Sequence, residues 1–259
     1  MLLGCCVPIE KYELAAGVGY DYAELPAWQV HALGEDELRT LTERKNAVGL
    51  PIPRLNAYCP GTPAIVGSRA DNNETRIYAR KLMKNAAVLG VKTIGVGAPK
   101  ARTLPLGFDR STADAQCTEF FKITAEEAAV YGITLLIESV QRGMCNYINT
   151  MREAAEMMRR INLPNVRLMA DLYHMEKEKE DWAGLKDYMA DIGHMHVSTV
   201  GLGNARGLYG EENAADCRRA FEAIRAAGYD DTVSIEPDAD ELSEETMTTA
   251  LKLMRQACR

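Results

Sequence analysis

Four side chains able to hold a cation stand at the ends of four successive apolar runs. Glu138 closes LLIE, Asp171 closes RLMAD, His196 lies within HMH, and Glu236 closes SIE. Three carboxylates and one imidazole form a mostly hard-oxygen donor set, which suits Mn²⁺, Mg²⁺ or Co²⁺ better than a closed structural zinc site. Manganese is the expected ion, with magnesium, cobalt and zinc as alternatives. One acid at a strand end means little, because carboxylates often cap strands and open loops. Four on sequential strands can converge on one point. His174 follows Asp171 by three residues, on the segment leaving its strand, where it can orient a substrate hydroxyl or shuttle a proton. His194 shares a strand face with His196, one layer deeper, and reads as a supporting or core histidine. His31, among Trp28, Val30 and Leu33, reads as structural.

The elements that would carry these residues alternate regularly. Eight short apolar runs, at 2–6, 20–25, 52–58, 91–97, 133–138, 166–171, 192–198 and 231–236, predict strands buried on both faces of a parallel sheet. Segments of helical period lie between them. Ile148, Met151, Ala155 and Met158 make one stripe, and Cys217, Phe221 and Ile224 another. In the last segment Ser243 is placed as an N-cap, Glu244 and Glu245 stand in the first turn, and Met247, Leu251 and Met254 form the core face. Gly17, Gly49, Gly90, Gly132 and Gly228 each precede a strand, as helix stops should. Eight βα units in a chain of this length predict a (β/α)8 TIM barrel. A doubly wound sheet rarely needs that many regular units. No linker or low-complexity tract interrupts the pattern, so residues 1–259 are expected to form one domain.

Composition narrows the function. The net charge of −7 speaks against phosphate-backbone binding, hence against a nucleic-acid partner. The 7 cysteines are odd in number and irregularly spaced, unlike a secreted disulfide scaffold. The N-terminus lacks a basic leader, and no apolar run approaches the ~18 residues of a membrane span. A reduced, soluble, cytoplasmic protein is expected. GVGAPKAR (95–102) and GLGNARGLYG (201–210) are Gly-rich but fail the dinucleotide spacing. The second reads as a flexible loop over the site, with Arg206 as a substrate anchor. The run EKEKED (176–181) reads as a solvated helix start.

The segment ITLLIESVQRGMCNYINT (133–150), followed by DLYHM (171–175), HMHVS (194–198) and SIEP (234–237), resembles the sugar (phosphate) isomerase/epimerase superfamily with the xylose-isomerase-like barrel, which includes the ketose 3-epimerases. DYAEL (21–25), LNAY (55–58) and ARTLPLGF (101–108) extend the resemblance over nearly the whole chain. It implies that Glu138, Asp171, His196 and Glu236 are the metal ligands, that the two glutamates double as the acid/base pair, and that His174 contacts the substrate. Arg142 matches the arginine that follows the first glutamate in the family, while Gln141 stands where asparagine is usual. Met144 replaces a glutamate that touches the substrate, and Leu202 occupies the place of a substrate-binding arginine, with Arg206 four residues later. Relatives of this kind are often dimers or tetramers.

The chemistry implied is removal of a proton beside a carbonyl. Such a proton is a very weak acid, and a divalent cation on the carbonyl oxygen and neighbouring hydroxyl stabilises the enediolate that forms. Return of the proton to the opposite face is epimerisation; return to the adjacent carbon is isomerisation. The same enolate can expel a leaving group from a keto-sugar or keto-glycoside, which is the lyase alternative. A non-catalytic carbohydrate-binding barrel is the alternative from another class. Multi-metal endonucleases of this fold need more than the 4 histidines present, and hydride-shift isomerases need a second carboxylate set that the chain does not display.

Overall fold

The computed structural model describes residues 1–201 and 203–259. Its strands are β1 Leu2–Cys6, β2 Tyr22–Pro26, β3 Arg54–Asn56, β4 Thr93–Val96, β5 Thr134–Glu138, β6 Val166–Asp171, β7 Ile192–Val197, β8 Thr199–Val200, β9 Arg206–Gly207 and β10 Thr232–Ile235. β1 to β7 and β10 form a closed parallel barrel, in the spatial order β1-β10-β7-β6-β5-β4-β3-β2. The sequence predicted eight barrel strands, and each lies within its predicted window or overlaps it. Closure runs between the chain's distant ends, pairing Leu2 with Thr232 and Cys5 with Ile235.

β3 begins later than its apolar run because Pro53 has no N–H to give to a ladder. After Asn56 the chain turns out through Ala57, at φ 46. The helices form where the apolar stripes predicted them. Thr150 caps Met151–Ile161 by accepting from Glu153 N, and Ser243 caps Glu244–Ala257 by accepting from Thr246 N. Met247, Leu251 and Met254 are buried as expected. Ile148 is the exception in its stripe: it precedes the helix with φ 58. The first helix, Tyr12–Val18, runs through Gly17 and ends at Gly19, whose φ of 93 is the left-handed conformation a C-cap demands.

Two connecting segments differ in part from expectation. The run 176–181 closes one helix and opens the next: Asp171 caps Leu172–Lys177 by accepting from Tyr173 N, and Asp181 caps the 3-10 turn Trp182–Tyr188 by accepting from Ala183 N. His174 therefore sits on a helix. The Gly-rich stretch after β7 is a short antiparallel ribbon, β8 on β9, pairing Val200 with Arg206. Lys177 Nζ fastens it through the carbonyls of Gly201 and Gly203, both at 2.9 Å. Leu202 lies outside the described residues. No described helix is long and apolar enough to cross a membrane.

Candidate metal centre

β5, β6, β7 and β10 are neighbours in the barrel, and their registers bring four donors to one level of its C-terminal rim. Asp171 is paired with His196, and His196 with Ser234, two residues before Glu236. One donor atom from each of Glu138, Asp171, His196 and Glu236 lies within 4.8 Å of all the others. The first three side chains are buried and Glu236 is partly exposed.

Each donor is held by identifiable partners. Glu138 reaches its position because residue 97 is glycine; a β-carbon there would collide with Glu138 Oε2. The buried guanidinium of Arg102 braces the same rim through the carbonyls of Val96 and Ile148. Burial, then repulsion from Asp171, pushes the Glu138 carboxyl up to about 7. Asp171 accepts from Tyr173 N at 2.8 Å through Oδ1 and from the Arg206 guanidinium at 2.7 Å through Oδ2. Burial disfavours its charge, yet Arg206 and His174 outweigh burial and hold the carboxyl well below the usual range. Glu236 accepts from Asn56 Nδ2 at 2.8 Å through Oε1, while Oε2 pairs with Arg206 and stands 3.3 Å from His196 Nδ1.

His196 is the pivot. Its Nε2 lies 3.1 Å from Glu24 Oε1, and its buried Nδ1 has no hydrogen-bond partner. A carboxylate only accepts, so the proton shared with Glu24 sits on Nε2, and Nδ1 is the nitrogen that faces the three acids and would offer its lone pair once its own proton is given up. Glu24, on β2 and only 1 % exposed, also accepts from His194 Nε2 at 2.9 Å and Ser234 Oγ at 2.6 Å. Burial opposes its ionisation, but the two histidines outweigh burial and hold the carboxyl well below its ordinary value. Burial also works against charge on His196, and Glu24 overrides it, making the ring strongly basic. The same basicity strengthens it as a donor to a cation. Burial lowers His194 to about 4, so its ring is neutral and supports Glu24 from the layer below.

This donor set fits a divalent cation: three carboxylate oxygens and a buried imidazole nitrogen without a hydrogen-bond partner converge, and the missing side chain at Gly97 leaves room for one of them. Arg206 addresses the same point from the ribbon. Its guanidinium bridges Asp171 and Glu236, touches His174 Nε2 at 2.7 Å, and lies 4.3 Å over the Tyr173 ring. A cation held by these donors would have to share Asp171 and Glu236 with the guanidinium.

His174 is buried, with Nε2 3.7 Å from Glu138 Oε1, and burial lowers its ring to about 3. Its Nδ1 accepts from Gln141 N at 3.3 Å. A neutral imidazole has one lone pair, so Gln141 and Arg206 compete for it. The ring borders a cavity. That cavity, of about 240 Å³, is walled by Glu138, His174, Arg206 and Glu236 together with the apolar Val140 and Met144. Met144 makes the wall apolar where the sequence resemblance expected a glutamate.

The structure thus brings together six of the seven residues singled out in the sequence: Glu138, Asp171, His174, His196, Arg206 and Glu236. Arg142 is not among them. Its backbone N–H and its guanidinium both go to Glu178, and its side chain is 60 % exposed. His31 stacks on Tyr78, with ring centroids 3.8 Å apart, as a structural histidine does. Sequence reasoning missed the roles of Glu24, Asn56 and Gly97. Glu24 was the most visible of these, a lone acid within the apolar run YAEL.

The chain matches the model of the xylose isomerase-like TIM barrel over residues 12–257. An L-ribulose 3-epimerase of Mesorhizobium japonicum is 28% identical over 184 residues, covering 71% of this chain and 58% of that protein's length. A 2-oxo-tetronate isomerase of Cupriavidus necator is 28% identical over 239 residues, covering 88% of this chain and 86% of the relative. Among solved structures, a D-psicose 3-epimerase crystallised in the presence of D-fructose superposes with a TM-score of 0.82 at 20% identity, covering 100% of this chain and 99% of that one. The names these relatives carry belong to the isomerase class expected from the sequence.

Proposed function

The chain belongs to the xylose isomerase-like TIM barrel family, and on that premise we propose that it is a metal-dependent sugar isomerase or epimerase. It takes a proton from the carbon beside a carbonyl of a small carbohydrate. The observation that carries this reading is the convergence of four donors within 4.8 Å, one of them an imidazole nitrogen with no other partner. Glu138, Asp171, His196 and Glu236 would hold the ion, with manganese the expected one. When bound, a divalent cation supplies the positive charge that lowers the cost of an enediolate.

The chain's own groups do the rest. Glu138 and Glu236 come from β5 and from the end of β10, separated in the barrel by β6 and β7. They approach the cavity from different sides, so one carboxylate takes the proton and the other group returns one. His174, fixed by Gln141, holds a substrate oxygen through Nε2–H. Arg206 anchors an oxygen on the ribbon side, and Asn56 keeps Glu236 turned inward. The apolar wall of Val140 and Met144 excludes water from the reacting carbon. On this reading residues 1–259 act as one cytoplasmic catalytic domain.

The test is hydrogen exchange. Protein stripped with EDTA and reloaded with Mn²⁺ is incubated in D₂O with a panel of free and phosphorylated ketoses, keto-acids and keto-glycosides. Deuterium appears at a carbon α to the carbonyl of at least one compound and disappears in Glu138→Gln and Glu236→Gln. No incorporation across the panel, from protein that demonstrably holds the ion, ends the proposal. Release of an aglycone without exchange would point instead to the elimination reaction.

A further inference from the structure

A second cavity adjoins the first. It measures about 390 Å³ and shares Glu236 and Pro237 with the cavity that holds Glu138, His174 and Arg206. We propose that it is a subsite for a second sugar ring, and that the substrate is a keto-sugar carrying a glycosidic partner rather than a free monosaccharide. This rests on the isomerase reading given above and names its substrate class.

Two independent features point to a ligand. The first is Trp28, in the opening turn of Ala27–Ala32 directly after β2, and therefore on the same rim as the four donors. Its side chain is 42% exposed although it lines a cavity whose other walls include Val7, Pro26 and Leu242. An indole left open in an apolar recess is a platform for the C–H face of a pyranose or furanose ring.

The second is Asn56. It ends β3, is 5% exposed, and faces both Glu236 and the second cavity. Its Nδ2 donates to Glu236 Oε1, which fixes the amide orientation, because a carboxylate has no hydrogen to offer in return. Oδ1 is then a buried acceptor without a partner. A buried acceptor left unpaired is costly. A hydroxyl on the second ring satisfies it, whereas an apolar group in the same place does not. Trp28 and Asn56 thus select a flat-faced group that also donates a hydrogen bond, which describes a sugar ring. The same Asn56 amide touches Glu236, so filling the subsite steadies the carboxylate that faces the reacting sugar.

The experiment uses the Mn²⁺-loaded protein and two sets of probes: D-fructose, D-psicose and D-tagatose, against the keto-disaccharides lactulose, turanose and isomaltulose. Binding is followed by calorimetry, and by tryptophan emission in Trp182→Phe, where Trp28 is the remaining tryptophan of the 2 in the chain. At least one disaccharide is expected to bind tenfold or more tightly than every monosaccharide and to shift Trp28 emission, which the monosaccharides leave in place. Trp28→Ala removes that advantage and leaves monosaccharide affinity and exchange unchanged. Monosaccharides binding as well as every disaccharide would overturn the subsite and leave the isomerase reading standing. Failure of all sugars to bind would overturn both. A fall in molar mass of Trp28→Ala by light scattering would assign Trp28 to a contact between copies of the chain, and the subsite would be lost.

Discussion

Replacing Glu24 with glutamine tests how the imidazole of His196 is prepared for a cation. The carboxylate accepts three hydrogen bonds, from His194 and Ser234 on Oε2 and from His196 on Oε1. Glutamine offers one oxygen. Two donors at 2.9 Å and 2.6 Å compete for it on the Oε2 side, so the carbonyl settles there and the amide NH₂ faces His196 Nε2. Two donors now confront each other at a distance that was 3.1 Å. His196 relieves the conflict by moving its proton to Nδ1, where Glu236 Oε2 stands 3.3 Å away. The lone pair aimed at the three acids is then closed. Removing such a partner behind a metal-binding histidine lowers affinity about 10–100-fold, which is about 1.4–2.7 kcal/mol. Loss of the charge-assisted bond also lowers stability by about 1.5–3 kcal/mol. Calorimetry with MnCl₂ on EDTA-stripped protein measures the affinity, and ¹⁵N spectra of labelled histidine report which ring nitrogen carries the proton. Unchanged affinity, with the proton of His196 still on Nε2, would refute the reasoning.

Other substitutions probe other parts of the site. Gly97→Ala places a methyl against Glu138 Oε2; it should cost about 1–3 kcal/mol in stability and, by displacing a reacting group, roughly 100-fold in kcat. Wild-type turnover from that variant would show that Glu138 tolerates the shift. Arg206→Ala leaves buried Asp171 without its guanidinium, so Tm in EDTA should fall, corresponding to about 3 kcal/mol at the low end for a broken buried pair because Glu236 is partly exposed. Mn²⁺ should raise Tm more in that variant than in wild type; an equal rise would mean that ion and guanidinium do not compete. Ser243→Ala removes an N-cap far from the site and should cost about 1 kcal/mol while leaving Mn²⁺ affinity intact, a control for the preceding variants.

The barrel was legible in the sequence because its strands are covered on both sides, and strands so buried read as unbroken apolar runs. The candidate metal donors were legible because four such residues end neighbouring strands, where any one of them alone would mean little. What stayed hidden depends on contacts between distant segments. Glu24 looked like one more acid until its strand closed beside β1 and placed it under two histidines from β7. Gly97 looked like part of a weak nucleotide motif, and only the position of Glu138 shows why a side chain is excluded there. Arg142 is four residues past Glu138, yet the turn that follows β5 carries it outward to Glu178. The ribbon that delivers Arg206 consists of two-residue strands, too short to show any period.

Barrel closure has a consequence for how the protein comes into being. The N-terminal amine lies 2.8 Å from Asp230, and β1 pairs with β10 across almost the full chain. Glu236 follows that last strand immediately. A polypeptide growing on a ribosome therefore carries Glu138, Asp171 and His196 for some time before their fourth companion exists, and Cys6 and Glu24 wait longer still for neighbours on the far side of the seam. Contacts this remote in sequence form slowly. On the metal-dependent reading proposed above, ion capture would come at the end of assembly, and manganese in the refolding buffer should hold the finished seam shut rather than hasten the first steps toward it.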